Sequence, residues 1–513
     1  MDAIPLTWQN AAVLLSATTA LYFLFRTIYN LYFHPLAKIP GLSSWSASHI
    51  PFAWAVFRGS YVPRIFQLHQ KYGPIVRIAP DAVCFAQAEA WSEILQPPPS
   101  RPETILKCGQ WFKPQPGMAL SLSQALEPET HAHLKKSLLP AFTARALRAQ
   151  EPFIQRYVNL LVERLRDIAA PSAANKGGAE VDMVSWLNWT VFDIFGDLGF
   201  GESFGSLEHS RYHPWVSIIF SNIKGIALMR AVSYFPTLES LLQMCIPPSF
   251  HKMQRDHIAL IEKKIQRRLN YEFERPDIMS HVYGDVKGPG KADRLPDESI
   301  TSLFWELVLA GSETTATTLA GTVNYLTSYP SAQKKLAAEV RAKFKTSESI
   351  SLDGLQDLPY LNAVIKEGLR LCPPFPWIIP RTIPEGGRTI CGAWMPAGTK
   401  VSIHTNAIHR NPDYFYNPVS FLPERWLPDA STDPKSPFFT DHREAMQAFA
   451  VGPRACIGQN LAMAEMRLIV AKLVWSFDLE LPADKRKWVR WEDLKAFIVM
   501  EKPPINLVLK LRQ

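Results

Sequence analysis

Cys456 stands in the stretch FAVGPRACIG, Phe449 to Gly458, and is one of six cysteines in 513 residues. A thiol becomes a metal ligand when it is held as the thiolate. Its neighbours favour that state. Gly458 is followed by QNLAMAEMRLIVAKLVWSF, an amphipathic helix pattern, which puts Cys456 just before a helix N-terminus whose partial positive charge favours an anion. Gly452 and Gly458 remove side chains where a flat ligand would approach the backbone. Arg454 offers a permanent cation for an acidic group near the metal. Phe449 is placed to shield the sulfur from water.

Three further groupings have chemical potential. AGSETT, 310–315, lies inside the run 301–329, which reads as one long helix. Gly311 loosens that helix locally, Thr314 presents a hydroxyl, and Glu313 presents an acid that can move protons. In VIKEGLR, Glu367 and Arg370 are three apart and share a helix face, with Val364 and Leu371 on the same flank. In HAHLKK, His131 and Lys135 are four apart and share another face.

The pattern F-x-x-G-x-R-x-C-x-G resembles the haem-binding signature of the cytochrome P-450 superfamily, the haem-thiolate monooxygenases, and all five specified positions match. AGSETT resembles that family's oxygen-activation segment. The resemblance implies haem b with the Cys456 thiolate as the axial iron ligand, dioxygen as co-substrate, and Thr314 and Glu313 in proton delivery. It implies that Glu367, Arg370 and Arg425, the last from FLPERW at 421–426, form one buried structural network behind the haem. Trp426 stands where Phe is also common, a tolerable change. The haem propionates would be met by Arg454, by Arg381 in IIPRT, and by the His131–Lys135 pair, where Lys replaces the usual Arg and Lys136 competes for the contact.

These groups need a scaffold. The composition, 47% hydrophobic and 20% charged, is that of a globular protein, and no linker or repeat divides the chain. Helical spacing follows Pro152, which fits a first helical turn, and recurs at Trp186–Leu198, Pro214–Leu228 and Ile258–Leu269. Strand patterns are short, at 75–79, 82–86, 400–405 and 505–511. The fold class expected is mainly α with small β-sheets: a cytochrome P-450 fold in which one large catalytic haem-binding domain, 33–513, follows an N-terminal membrane anchor, 1–32. Ala3–Phe25 carries no charge and is long enough to span a bilayer, Arg26 and Lys38 follow it, and Pro35 and Pro40 stop the helix. That order places the body in the cytosol. With the family it implies a single-pass protein of the endoplasmic reticulum membrane.

The absence of C-x-x-C spacing excludes the usual zinc sites, and the sparse cysteines point to a reducing compartment rather than a disulfide framework. The net charge of +8 is scattered, which disfavours nucleic acid and suits docking to an acidic protein surface. The stretch after Cys456 is too short for a flavin domain. The resemblance therefore implies a separate NADPH-cytochrome P-450 reductase, with a cytochrome b-type protein as a further donor. Asn188-Trp189-Thr190 matches a glycosylation acceptor and reads as a chance match inside a helix.

YNLYFHPLAKIPG and FDIFGDLGFGESFG resemble segments of filamentous-fungal microsomal members, which work on polyketide, terpenoid or alkaloid intermediates of secondary metabolism, mycotoxins included. The substrate would then be a hydrophobic small molecule. It would be met by segments near 105–125, 215–245, 303–311, 376–379 and 497–500, including Phe304, Leu307, Val308, Trp377, Ile378, Ile379, Ile498 and Val499. Two other readings use the same residues: a haem-thiolate enzyme that rearranges or dehydrates without external oxygen, and a non-catalytic haem-binding membrane protein. The intact Glu313-Thr314 pair favours the monooxygenase.

Overall fold

The computed structural model describes residues 8–96, 105–114, 117–173, 178–244, 246–271, 275–283 and 295–512. The first helix, Trp8–Ile28, has no buried residue. With the π-turn Tyr29–Phe33 that follows, it forms a 26-residue segment containing an 18-residue stretch of mean hydropathy 1.6, long and apolar enough to cross a membrane. The chain leaves the helix at His34, whose extended backbone (φ −65°, ψ 141°) is what the residue before a proline adopts.

The body is mainly helical, with four small sheets among the described residues. At its centre runs Asp297–Ser328, 32 residues and so about 48 Å long. Asp297 and Glu298 occupy its first turn, where negative charge suits the helix dipole. It packs along Met183–Phe200, and both helices are buried almost all round. Neither therefore shows a strong polar face, and several of their buried hydroxyls find partners within the helix. Thr322 donates to the Thr318 carbonyl at 2.7 Å, Thr327 to that of Val323 at 2.8 Å, and Thr190 to that of Trp186 at 2.8 Å. Asn188 lies buried in the same helix with its amide donating to the Tyr212 hydroxyl at 2.9 Å, so the glycosylation match is inaccessible.

Helix existence follows the sequence periodicity; the bounds mostly do not, Pro214 being the start that does. The helix expected to begin at Pro152 begins at Ala144 and runs to Ala173. Pro152 therefore sits in the helix interior, where it cannot donate to the carbonyl four residues earlier. Burial of Ile154, Val158, Leu161 and Leu165 along one face outweighs that loss. The other three helices extend beyond their expected ends, to Met183–Phe200, Pro214–Val232 and Pro248–Leu269.

The largest sheet uses five strands: β1 (Ile75–Ala79), β2 (Ala82–Phe85), β3 (Leu106–Lys107), β4 (Arg381–Thr382) and β5 (Lys400–Ile403), in the order β1-β2-β5-β4-β3. The two-residue strands β3 and β4 pair antiparallel and have no readable period, so the sequence does not announce them. A three-stranded antiparallel sheet joins Ala179–Asp182, Asn506–Leu511 and Phe477–Glu480, which pins the end of the chain.

A charged knot fixes the helix Pro359–Leu371 to the turn Pro423–Trp426. Glu367, Arg370 and Arg425 are fully buried. Arg370 grips Glu367 through two bonds of 2.7 and 2.9 Å, and Arg425 reaches the same carboxylate at 3.2 Å. The Leu422 N–H and the Trp426 indole N–H each donate to it at 2.9 Å. Trp426 is thus a hydrogen-bonding member of the knot, beyond the tolerable replacement for Phe expected of it. Asp441, not foreseen, accepts from Arg425. Burial alone would raise the Glu367 carboxyl; the Arg370 charge and hydrogen bonds, with Arg425, bring it below the ordinary carboxylate value.

Candidate active site

The segment before the helix Gln459–Ser476 closes on itself. The Cys456 N–H donates to the Phe449 carbonyl at 2.9 Å, and the Ala455 N–H to that of Gly452 at 3.0 Å. The loop forms one wall of a cavity of about 350 Å³, to which Phe449, Arg454, Cys456 and Gly458 contribute. Leu307, Ala310, Gly311 and Thr314 form another wall. Their spacing of three, four and seven is one stripe of the central helix.

Cys456 has exposed surface, and that surface is cavity wall. Enclosure by protein raises its thiol pKa, while the Gly458 N–H and the charge of Lys135 act in the opposite sense. Two donors of positive potential thus converge on this sulfur. Cys84, Cys108 and Cys372 are buried, and Cys245 lies outside the described residues.

The two loop glycines serve different ends. A Cβ at Gly458 would meet nothing nearer than 4.0 Å, so this position leaves the cavity wall open. Gly452 is not part of that wall. Its φ is +80°, and a Cβ there would stand 2.5 Å from the Leu95 carbonyl. Backbone packing, rather than room for a flat ligand, requires glycine at 452. Gly311 lines the cavity, but a Cβ there would also stand 2.7 Å from the Phe195 ring, and the helix runs through it unbroken.

A cluster of bases borders the cavity. Arg381 and Arg454 line it, and both also line a neighbouring cleft with His131, Lys135 and Lys136. Arg454 donates to the Ala125 carbonyl at 2.6 Å, Arg381 to that of Ile105 at 2.7 Å, and Lys135 to that of Pro453 at 2.7 Å. Lys135, not Lys136, is therefore the lysine tied to the cysteine loop. Sequence reasoning missed Lys107. It lines the cavity, donates to the Ser123 carbonyl at 2.9 Å, and lies in β3 directly across from Arg381 in β4. Among the described residues none of these five side chains, Lys107, His131, Lys135, Arg381 and Arg454, pairs with a carboxylate. Burial and then the charge of Arg454 push Lys107 down to about 7, and His131 down to about 4. The buried Arg381 Nε has no partner. Arg381, Arg454 and Lys135, with Lys107 and His131 beside them as hydrogen-bond donors, fit a ligand carrying carboxylates.

The threonine and the acid part company. The Thr314 hydroxyl donates to the Ala310 carbonyl at 2.6 Å on the cavity side. Glu313, one residue earlier and about 100° round the helix, is buried and is not part of the cavity wall. Its carboxylate is paired with Lys502, a residue with no sequence signal. Of the eight apolar residues expected near a substrate, Leu307, Trp377 and Ile379 line the cavity. Phe304, Val308, Ile378 and Val499 are buried in the core, and Ile498 packs against it. Part of the 105–125 and 215–245 segments lies outside the described residues and side chains.

The family model for cytochrome P450 matches residues 49–509. The chain belongs to the cytochrome P450 family. This cytochrome P450 is 38% identical, over 97% of its length and 95% of the relative's, to the cytochrome P450 monooxygenase atr2 of Stereocaulon alpinum. It is 36% identical to the trichothecene C-4 hydroxylase of Trichoderma arundinaceum, over 93% of this chain and 92% of that one. The crystal structure of the cytochrome P450DA heme domain shares the fold, with a TM-score of 0.72, 20% identity, and coverage of 93% of this chain and 98% of that chain. This P450 is accordingly an oxidoreductase, a haem-thiolate monooxygenase that uses dioxygen on a small molecule and takes electrons from a redox partner. The cavity suits haem: its lining holds a thiol, an apolar helix face, and at the border cations without carboxylate partners among the described residues.

Proposed function

We propose that this cytochrome P450 inserts one oxygen atom from dioxygen into a hydrophobic intermediate of fungal secondary metabolism, of polyketide, terpenoid or alkaloid type. The observation that carries the reading is that Cys456 and the Leu307–Thr314 stripe line one cavity with a basic border. Haem bound there supplies the activation of oxygen. The chain's own residues do the rest. Cys456 serves as iron ligand, with Phe449 and Gly458 beside it. Arg454, Arg381, His131 and Lys135, joined by Lys107, hold the propionates. Thr314 holds a proton at the cavity wall, Glu313 supplies protons to it, and Leu307, Trp377 and Ile379 exclude water.

The apolar helix Trp8–Ile28 supports residues 1–32 as a single-pass anchor in the endoplasmic reticulum, with residues 33–513 as the catalytic domain in the cytosol. Electrons come from NADPH through a membrane-bound reductase, with a cytochrome b-type donor in support, and the net charge of +8 suits an acidic docking face. The test is expression with a fungal reductase in a host lacking the product, followed by profiling of oxidised metabolites. A new product containing one atom of labelled dioxygen supports the reading; a product of unchanged oxygen content overturns it.

A further inference from the structure

The Glu313–Lys502 contact joins the centre of the molecule to its last segment, 189 residues on in the chain. Both side chains are almost fully buried, at 2% and 4% exposure. The lysine is held from both directions. On one side the hairpin of Ala496–Phe497 and Val499–Met500 closes with the Glu501 N–H donating to the Lys495 carbonyl at 2.8 Å. On the other, Pro503 and Pro504 lead to Ile505, whose N–H donates to Asp182 at 3.1 Å and whose carbonyl accepts from Met183 at 2.9 Å. A lysine fixed this way is a built feature of the site rather than a surface charge that happens to reach inward.

The pairing is one-sided. Lys502 and the Thr317 hydroxyl both donate to Oε1 of Glu313, the second at 3.1 Å, and Lys502 also donates to Thr317 at 2.6 Å. Oε2 is buried and has no partner among the described residues. One oxygen is thus saturated with donors while the other keeps its lone pairs free. An unmatched buried carboxylate oxygen is costly unless a proton or a water reaches it.

We propose that Lys502 is a positioning residue for Glu313: it fixes Oε1 with its positive charge, holds the carboxylate turned from the cavity, and leaves Oε2 as the oxygen that takes up a proton bound for Thr314. The inference rests on the proton-delivery reading of Glu313. It adds that the segment around Lys502, and not the central helix alone, sets where that acid stands.

The test uses the full-length haem-loaded protein with Lys502→Met, Lys502→Arg and Glu313→Gln. Without its cation, a buried carboxylate takes up a proton, since burial disfavours the charged form once the opposite charge is gone. At rest, with no turnover, the infrared difference between Lys502→Met and wild type should gain a protonated-carboxyl C=O band. The band should vanish when Glu313→Gln is added and should not appear in Lys502→Arg. The pH profile of product formed per NADPH should move upward by about 1–3 pH units in Lys502→Met and return in Lys502→Arg. A Lys502→Met protein with no new carboxyl band, or with a superimposable profile, overturns the proposal. Should that variant not fold, wild type minus Glu313→Gln decides: loss of a carboxylate band supports the proposal, and loss of a protonated-carboxyl band overturns it. A wild-type protein lacking the thiolate-type carbon monoxide band would instead sink the haem-thiolate reading, and would leave the infrared result standing.

Discussion

Lys107 and Arg381 stand directly opposite each other in a pair of two-residue antiparallel strands, two cations where like charges repel. Arg454 is close enough to depress both, and none of the three has a carboxylate partner among the described residues. A fold keeps such a juxtaposition when an anion is meant to lie across it.

A proton balance follows. Burial, then Arg454, brings Lys107 from its ordinary 10.5 to about 7 in the haem-free protein. Between those values the unfolded chain holds more protons than the folded one, so the stability of the haem-free protein rises with pH across that window. A propionate beside Lys107 reverses the shift. Haem binding at pH 8 should therefore take up a proton at Lys107 against the one the Cys456 thiol gives up on becoming a thiolate. Calorimetry in two buffers of different ionisation enthalpy should show Lys107→Met releasing about one proton more than the wild type; equal proton release by the two proteins would contradict the assignment.

Cys456→Ser should eliminate the red-shifted Soret band of the reduced carbon monoxide complex, while Cys391→Ser should retain it. Cys391 is half-buried, its thiol is pushed up to about 12 by burial and then by Glu93, and its backbone is tied to Glu93. Only a thiolate at the iron can produce that band.

Thr314→Ala should leave the fold intact, since among the described residues the hydroxyl bonds only to the Ala310 carbonyl of its own helix. A stability change within about 0.5 kcal/mol is expected. Product per NADPH should fall and peroxide should rise in proportion. An unchanged ratio would remove Thr314 from proton delivery.

Glu367→Gln leaves Arg370 and Arg425 buried with one counter-ion fewer and should cost about 3–5 kcal/mol in thermal unfolding. Trp426→Phe, which removes one donor to that carboxylate, should cost about 1.5–3 kcal/mol. The folded Glu367 carboxyl lies below its ordinary value. Its contribution is thus full above the unfolded carboxylate pKa and is lost as pH falls through the folded one. Glu367→Gln should flatten the acid limb of the stability curve.

What the sequence determined by itself is local. The Phe449–Gly458 pattern, the 310–315 segment, the Glu367–Arg370 spacing and the apolar N-terminus are each readable because their chemistry rests on residues within one or two turns of each other. The tertiary structure decided the rest. It set Lys107 across from Arg381, put Lys502 on Glu313, brought Asp441 and the Trp426 indole to the charged knot, and made Gly452 answer to the Leu95 carbonyl. It also carried a helix through Pro152. Pairings such as Lys502 with Glu313 join residues far apart in the chain, and strands of two residues carry no period. For Glu313 and Arg425 the partner is chosen by burial, where an unpaired charge is expensive and a side chain distant in sequence is the nearest group able to meet it.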